Sequence, residues 1–390
     1  MLTLLRRVLI TALVLVLTGT VAEVVLRWRY PIGQLMYQLD SDLIHRPIPH
    51  SRRIQVMPAA AGGARVLVTL NSLGMRGPEP RGADQQLLLI GDSMVLSANV
   101  AFDETFGFGL ERHLGETDAD WEVLQAGAES YGPDQTLLRL HEQLPELQPA
   151  AVLLVLCAHN DFGDLIRNKL FGIDAAGLLQ RQQVELGPAL TALFEARQAE
   201  AARPALWRVW NSLRRDRSAA ALDPTWDYVS LYLRAARFQY QDGVVNRSPV
   251  VDDIERDTWD ADIALYPNWP SSQYKRQLMT LVLADLAATC QNAGVRIAAV
   301  VVPSAIDIGP KSAIQVDREH YSDYEPRRLS RALEACATDA GIPTLDLTEV
   351  FLHNDPSSLF ASPEDFHWNA RAQALSAKAC ADFLGALGWF

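Results

Sequence analysis

The chain has 390 residues, 49% of them hydrophobic and 21% charged. That composition suits a globular protein with material for one large domain, or one domain carrying an insertion. A net charge of −12, spread along the chain without a basic stripe, speaks against a nucleic-acid partner.

In chain order, Arg6 and Arg7 precede an apolar run over residues 8–26. Nineteen residues at ~1.5 Å each reach about 28 Å, close to the bilayer core. Glu23 stands near the far end, and Arg27, Trp28, Arg29 and Tyr30 read as interfacial anchors. Residues 1–30 are therefore expected to be a membrane anchor. A cleaved signal peptide, with Thr20-Val21-Ala22 as its cutting site, is the alternative. The flanking charges nearly balance, so export of the body rests on the shape of this segment.

Residues 31–84, rich in Pro, Arg and Gly, read as a linker with short strands. Arg65–Leu70 is one such strand, and Asn71-Ser72-Leu73-Gly74 has turn chemistry. From residue 85 apolar strands alternate with helices. Gln86–Ile90 is a buried strand broken at Gly91-Asp92-Ser93, and a helix follows over Thr105–Leu114. Trp121–Leu124 is a strand, Asp134–Leu144 a helix, and Ala151–Leu156 a third buried strand ending at His159-Asn160-Asp161.

Residues 165–275 break this rhythm. Helical pieces alternate with an acidic stretch, Asp252 to Asp262, and five of nine tryptophans fall here: Trp207, Trp210, Trp226, Trp259 and Trp269. An inserted helical cap is expected. The rhythm resumes with a helix Gln277–Asn292, a strand Arg296–Val302, a helix Arg328–Asp339, a short strand Pro343–Asp346 and a closing helix Ala370–Leu387. Such alternation implies a mostly parallel sheet with helices on both faces and a ligand site at the carboxyl ends of the strands. The four cysteines (Cys157, Cys290, Cys336, Cys380) lack metal-ligand spacing. Cys157 reads as a buried thiol, and a Cys290–Cys336 bridge is left open.

Three polar clusters follow apolar strands, Gly91-Asp92-Ser93-Met94, the turn Gln125 to Gln135 and Ala158-His159-Asn160-Asp161, and a fourth, Asp365-Phe366-His367-Trp368-Asn369, opens the last helix, so all four are expected to gather on one sheet edge. Ser93, on a sharp turn after a buried strand, is the candidate nucleophile, with backbone N–H groups at the helix start able to hold an oxyanion. The plainer alternative is a Ser/Asp helix cap. Asp92 serves that turn or cap. His367 is the candidate base and Asp365 the group that fixes its tautomer, although Asp365 could equally cap the last helix. Asn160 is a candidate oxyanion donor, or a residue closing a turn. The turn Gly127 to Gly132 could supply another N–H, and His159 reads as a wall or capping residue.

Gly-Asp-Ser, a Gly-rich turn, Asn-Asp and then Asp-x-His near the C-terminus occur in an order that resembles the SGNH/GDSL hydrolases. The resemblance covers roughly residues 40–390. Asn71-Ser72-Leu73-Gly74-Met75-Arg76-Gly77, Tyr131-Gly132-Pro133-Asp134-Gln135, Val300-Val301-Val302-Pro303-Ser304 and Leu345-Asp346-Leu347 are similar to the membrane-anchored bacterial members. The resemblance implies a three-layer α/β/α flavodoxin-like fold over residues 85–390, and acyl-ester hydrolysis with neither metal nor cofactor. It implies Ser93 as nucleophile, His367 as base, Asp365 as its partner, and Ser93, Ser130 and Asn160 as the oxyanion hole. Ser130 stands where the family has a glycine, beside Glu129, and Ala158-His159 stand where Gly-x is common. Many members place the acid three residues before the histidine, which is Glu364 here, so the orienting carboxylate stays open.

The expected function is a serine ester hydrolase, through an acyl-serine, acting on an O-acylated sugar or lipid of the cell envelope, with the domain periplasmic or extracellular. One alternative is O-acetyl transfer to a polysaccharide, because Asp365-Phe366-His367-Trp368 resembles an element of alginate-type O-acetyltransferases and a Trp-rich cap could hold a glycan. Another is a binding module with a relaxed site. Acyl length, alcohol and oligomeric state are not set by the sequence.

Overall fold

A computed structural model describes residues 1–57, 62–117, 119–184, 186–214, 226–245 and 258–390. Five parallel strands form the central sheet: β1 Gln85–Gly91, β2 Trp121–Gly127, β3 Ala151–Cys157, β4 Arg296–Val302 and β5 Thr344–Asp346. Their order, β2-β1-β3-β4-β5, is the flavodoxin-like doubly wound arrangement. The first three strands run slightly further than their apolar cores alone indicate.

Alternate residues of each strand point to opposite faces, and both faces are covered. Leu88, Ile90, Leu154 and Val301 share one core with the helices Pro133–Leu147, Pro270–Asn292 and Arg328–Asp339. Leu87, Leu89, Val155 and Val300 share the other with Phe106–Leu114 and Ala370–Ala386. This is the three-layer fold expected, and burial on both faces is why these strands are uniformly apolar.

Residues 31–84 are more ordered than a linker. They form two antiparallel hairpins, Tyr37–Asp40 with Ile44–Pro47 and Arg52–Val56 with Arg65–Thr69. Between β3 and the helix Pro270–Asn292 lie a small hairpin, Phe171–Ile173 with Leu179–Arg181, and the helices Pro188–Ala202, Ala205–Arg214, Trp226–Val245 and Ala261–Leu265. Residues 252–257 of the acidic stretch and the side chain of Trp226 lie outside the described residues. Asp260 and Asp262, at the end of that stretch, are buried on Lys275 at 3.0 and 2.9 Å. Lys275 lies within the first turns of the helix Pro270–Asn292, which begins seven residues before its predicted start at Gln277. A lysine in the buried stripe hides the apolar periodicity there.

The last motif also differs from expectation. Asp365–Trp368 is a strand paired with Phe360–Ser362, and the closing helix is capped by Asn369, whose Oδ1 accepts from the Ala372 N–H at 3.1 Å. Asp365 is therefore not the cap. All four cysteines are separate buried thiols, so Cys290 and Cys336 are not bridged. Leu2–Arg29 is one continuous helix with a mean hydropathy of 2.4 over its apolar window and no burial there. It is long and apolar enough to cross a bilayer, a property that a signal helix shares.

Candidate active site

The site lies where strand order reverses, between β1 and β3. β1 ends at Gly91, with φ at +153°, where a Cβ would stand 2.7 Å from the Val155 carbonyl oxygen. A Cβ on Gly127, at the end of β2, would stand 2.5 Å from the Leu96 nitrogen. Two glycines thus let a short helix, Ser93–Leu96, press against the sheet edge. Asp92 caps it, its Oδ1 accepting from the Met94 N–H at 2.8 Å. Ser93 opens this helix, only 8% exposed.

His367 reaches Ser93 from the far end of the chain, with Nε2 2.8 Å from Ser93 Oγ. Its Nδ1 lies 2.6 Å from Asp365 Oδ1, which also accepts the His367 backbone N–H at 2.9 Å. An ionised carboxylate only accepts, so Nδ1 carries the proton and Nε2 is left to accept from the serine hydroxyl. Burial works to raise the Asp365 carboxyl, but the charge and hydrogen bonds of His367 outweigh it and hold the pKa below the ordinary carboxylate value. Glu364 accepts instead from Ser362 Oγ at 3.1 Å. Asp365 is the carboxylate on the imidazole.

The two ends are braced together. The buried Trp368 donates its indole N–H to the Met94 carbonyl at 3.0 Å, and Asn99 Nδ2 donates to the Trp368 carbonyl at 2.8 Å. Gln373 Oε1 accepts from Ser97 Oγ and from the Phe106 N–H. His159 stacks on Phe366 with ring centroids 4.0 Å apart, and its Nδ1 is 3.1 Å from Ser304 Oγ.

Ser130 adopts φ +56°, in the left-handed region where a glycine would be unstrained. This accounts for a glycine being usual at its place. Among the described residues, the backbone N–H groups of Ser93 and Ser130 donate to no other protein group. The Ser130 carbonyl accepts from Arg167 Nη2 at 2.7 Å. Arg167 also lies 2.7 Å from Asp164, and Asp164 Oδ2 accepts from Asn160 Nδ2 at 3.1 Å. One buried ion pair thus ties the Ser130 turn to Asn160. Asn160 itself is 1% exposed and is not among the residues lining the cleft. The charge of Glu129 is met by the Arg53 guanidinium, and its backbone N–H donates to Tyr37 Oη at 2.9 Å.

Above Ser93 opens a cleft of ≈ 450 Å³. Ser93, His367, Asp365, Glu129 and Ser130 form its floor. Tyr37, His45, Gln55 and Met57 from the N-terminal hairpins form one wall, and Phe194 and Arg197 from the helix Pro188–Ala202 form another. Burial pushes the His45 imidazole down to about 4, so it stays neutral; its Nε2–H donates to the Glu129 carbonyl at 2.8 Å. No described tryptophan lines the cleft. The hairpin residues were missed in the sequence because 31–84 looked like a linker. The signal was Tyr131-Gly132-Pro133-Asp134-Gln135. Tyr131 Oη donates to the His45 carbonyl at 2.8 Å, and Gln135 Nε2 donates to the Leu43 carbonyl at 2.6 Å. This motif clamps the first hairpin over the site.

No protein-family model matches the chain, and no curated protein does. Among solved structures the chain is similar to TesA, at 13% identity over 78% of this chain and 99% of that one, with a TM-score of 0.37. It is similar to the lipase/acylhydrolase from Enterococcus faecalis, at 9% identity over 78% and 96%, with a TM-score of 0.35. It is also similar to an acetylxylan esterase from Geobacillus stearothermophilus, at 10% identity over 78% and 95%, with a TM-score of 0.35. With TM-scores this low, the fold assignment rests on the sheet order itself.

Proposed function

We propose that this protein is a serine ester hydrolase in which Ser93 is the nucleophile, His367 the general base and Asp365 its orienting acid. The observation that carries the reading is the unbroken chain from Asp365 Oδ1 through His367 to Ser93 Oγ, with steps of 2.6 and 2.8 Å. Ser93 Oγ attacks the ester carbonyl as Nε2 takes its proton. The Ser93 and Ser130 N–H groups receive the oxyanion; Asn160, buried on Asp164 and outside the cleft lining, is the third donor that the motif order suggests. His367 then protonates the departing alcohol, and water, deprotonated by the same imidazole, frees the acyl group from Ser93.

Residues 165–275 act in this reading as a cap that walls the cleft with Phe194 and Arg197. Apolar Met57 and Ala98 beside polar Gln55, Asn99 and Arg197 suit a short acyl group on a polar alcohol, such as an O-acylated envelope sugar or lipid headgroup. Residues 8–26 anchor the domain to a membrane, with the body on the outer side. Among the described residues no tryptophan lines the cleft, so the cap adds no support to a glycan-acceptor transferase.

The test is fluorophosphonate labelling with peptide mapping, together with hydrolysis of p-nitrophenyl acetate, on the wild type and Ser93→Ala. Modification at Ser93, and loss of both signals in the variant, are expected. Hydrolysis unchanged in Ser93→Ala overturns the reading.

A further inference from the structure

The helix Ala205–Arg214 is built inside out for a water-soluble protein. It buries Ala205 and Arg208, at 1% and 3% exposure, while Leu206 and Trp210, one turn apart on the opposite face, are 67% and 56% exposed. The buried arginine has a reason to be there, because its Nη1 donates to the Ile32 carbonyl at 2.9 Å. Leu206 and Trp210 still present apolar surface outward, and apolar surface gains by leaving water.

The neighbourhood supplies the missing medium. Glu23, at the end of the apolar N-terminal run, accepts the Ala205 N–H on both carboxylate oxygens, at 2.9 and 2.8 Å, and so caps this helix across the chain. Arg27 binds Glu23 at 2.6 Å and donates to the Arg203 carbonyl at 3.3 Å. Within Leu2–Arg29 only Glu23, Leu26 and Arg27 are partly buried; the other residues are exposed. The start of the helix Ala205–Arg214 is thereby held level with the point where the apolar run meets its first charge. Trp28 and Tyr30, 66% and 42% exposed, stand at the same end. Tryptophan and tyrosine beside arginines are the side chains that favour the headgroup region.

We propose that the helix Ala205–Arg214 lies on the bilayer interface, with Leu206 and Trp210 inserted below the headgroups. Glu23 and Arg27 fix its depth, and the cleft is thereby seated against the membrane surface. The inference rests on residues 8–26 spanning a bilayer, the anchoring part of the proposed function. It goes further by giving the cap its own membrane contact. Only Arg203 and Pro204 separate this helix from Pro188–Ala202, which carries Phe194 and Arg197 to the cleft wall. An ester carried by a lipid or a surface glycan would meet the cleft at the depth where it resides.

The test uses the full-length chain in vesicles of phosphatidylcholine and phosphatidylglycerol. A polarity-sensitive thiol probe is attached in turn at V14C, L206C and L352C; the four native cysteines are buried. Quenching by nitroxide-bearing lipid is compared with quenching by aqueous iodide. The expected result is strong lipid quenching at V14C and L206C, with L352C reached by iodide alone. Lipid quenching at V14C with L206C as open to iodide as L352C overturns the interfacial helix and leaves the anchor standing. Loss of lipid quenching at both V14C and L206C overturns the anchor, and the inference with it. A probe at L206C shielded from iodide without lipid quenching identifies a protein cover, such as a second copy, and also overturns it.

Discussion

Replacing Asp365 by Asn is the sharpest test of the proton path. In the proposed mechanism the carboxylate stabilises the imidazolium that forms as Ser93 attacks, and it holds the tautomer that leaves Nε2 free to accept. Unit charges 2.6 Å apart attract by about 6 kcal/mol at an effective dielectric near 20. The side chains of His367 and Asp365 are 24% and 23% exposed, and the solvent that reaches them trims this to ~3 kcal/mol in the more screened limit. Between these bounds, D365N is expected to lower kcat by about two to four orders of magnitude, with KM little changed because the carboxylate acts through the imidazole. The assay is steady-state hydrolysis of p-nitrophenyl acetate, with circular dichroism and a melting curve to show that the fold is intact. E364Q is the control. Its side chain pairs with Ser362 and not His367, so about a threefold change at most is expected. A folded D365N within tenfold of wild type, or an E364Q equally impaired, refutes the assignment of Asp365.

Asn160→Ala is expected to lower kcat by about 10² to 10³ if the amide receives the oxyanion; an unchanged kcat removes it from that role. Arg167→Met leaves the buried Asp164 without its guanidinium and should cost about 3–5 kcal/mol in urea unfolding, while D164N/R167M recovers part of the loss; a double variant no more stable than R167M refutes the pairing. Burial pushes the Asp307 carboxyl up to about 8, against the Tyr324 hydroxyl at 2.8 Å that works to lower it. The folded chain therefore holds a proton that the unfolded chain releases near pH 4, so stability falls as pH rises from about 4 to about 8 and then levels. Between pH 5 and 8.5 the wild type should lose up to ~4 kcal/mol more than D307N in denaturant titrations. Equal losses refute the buried, protonated Asp307.

The identity of the chemical groups was legible in the linear chain, and so was the architecture. Uniformly apolar strands such as Ala151–Cys157 can only be central strands of a covered sheet, and polar residues that follow them must gather at its carboxyl edge. Ser93 was singled out by that rule, while His367 and Asp365 came from a cluster expected to open the last helix and from the order of the motifs. What local pattern could not reveal was contact across hundreds of residues. The hairpins of 31–84 looked like linker because they bury only part of each strand, and their place over the cleft comes from Tyr131 and Gln135 reaching back to them. The choice between Glu364 and Asp365 turned on strand pairing. Residues two apart in a strand share a face, so the pairing of Asp365–Trp368 with Phe360–Ser362 sets Asp365 beside the imidazole of His367, while Glu364, in the turn before the strand, reaches Ser362. Lys275 hid the start of its helix for the same reason. A buried charge is tolerated only beside partners from elsewhere in the chain, and those partners meet only once the chain has folded.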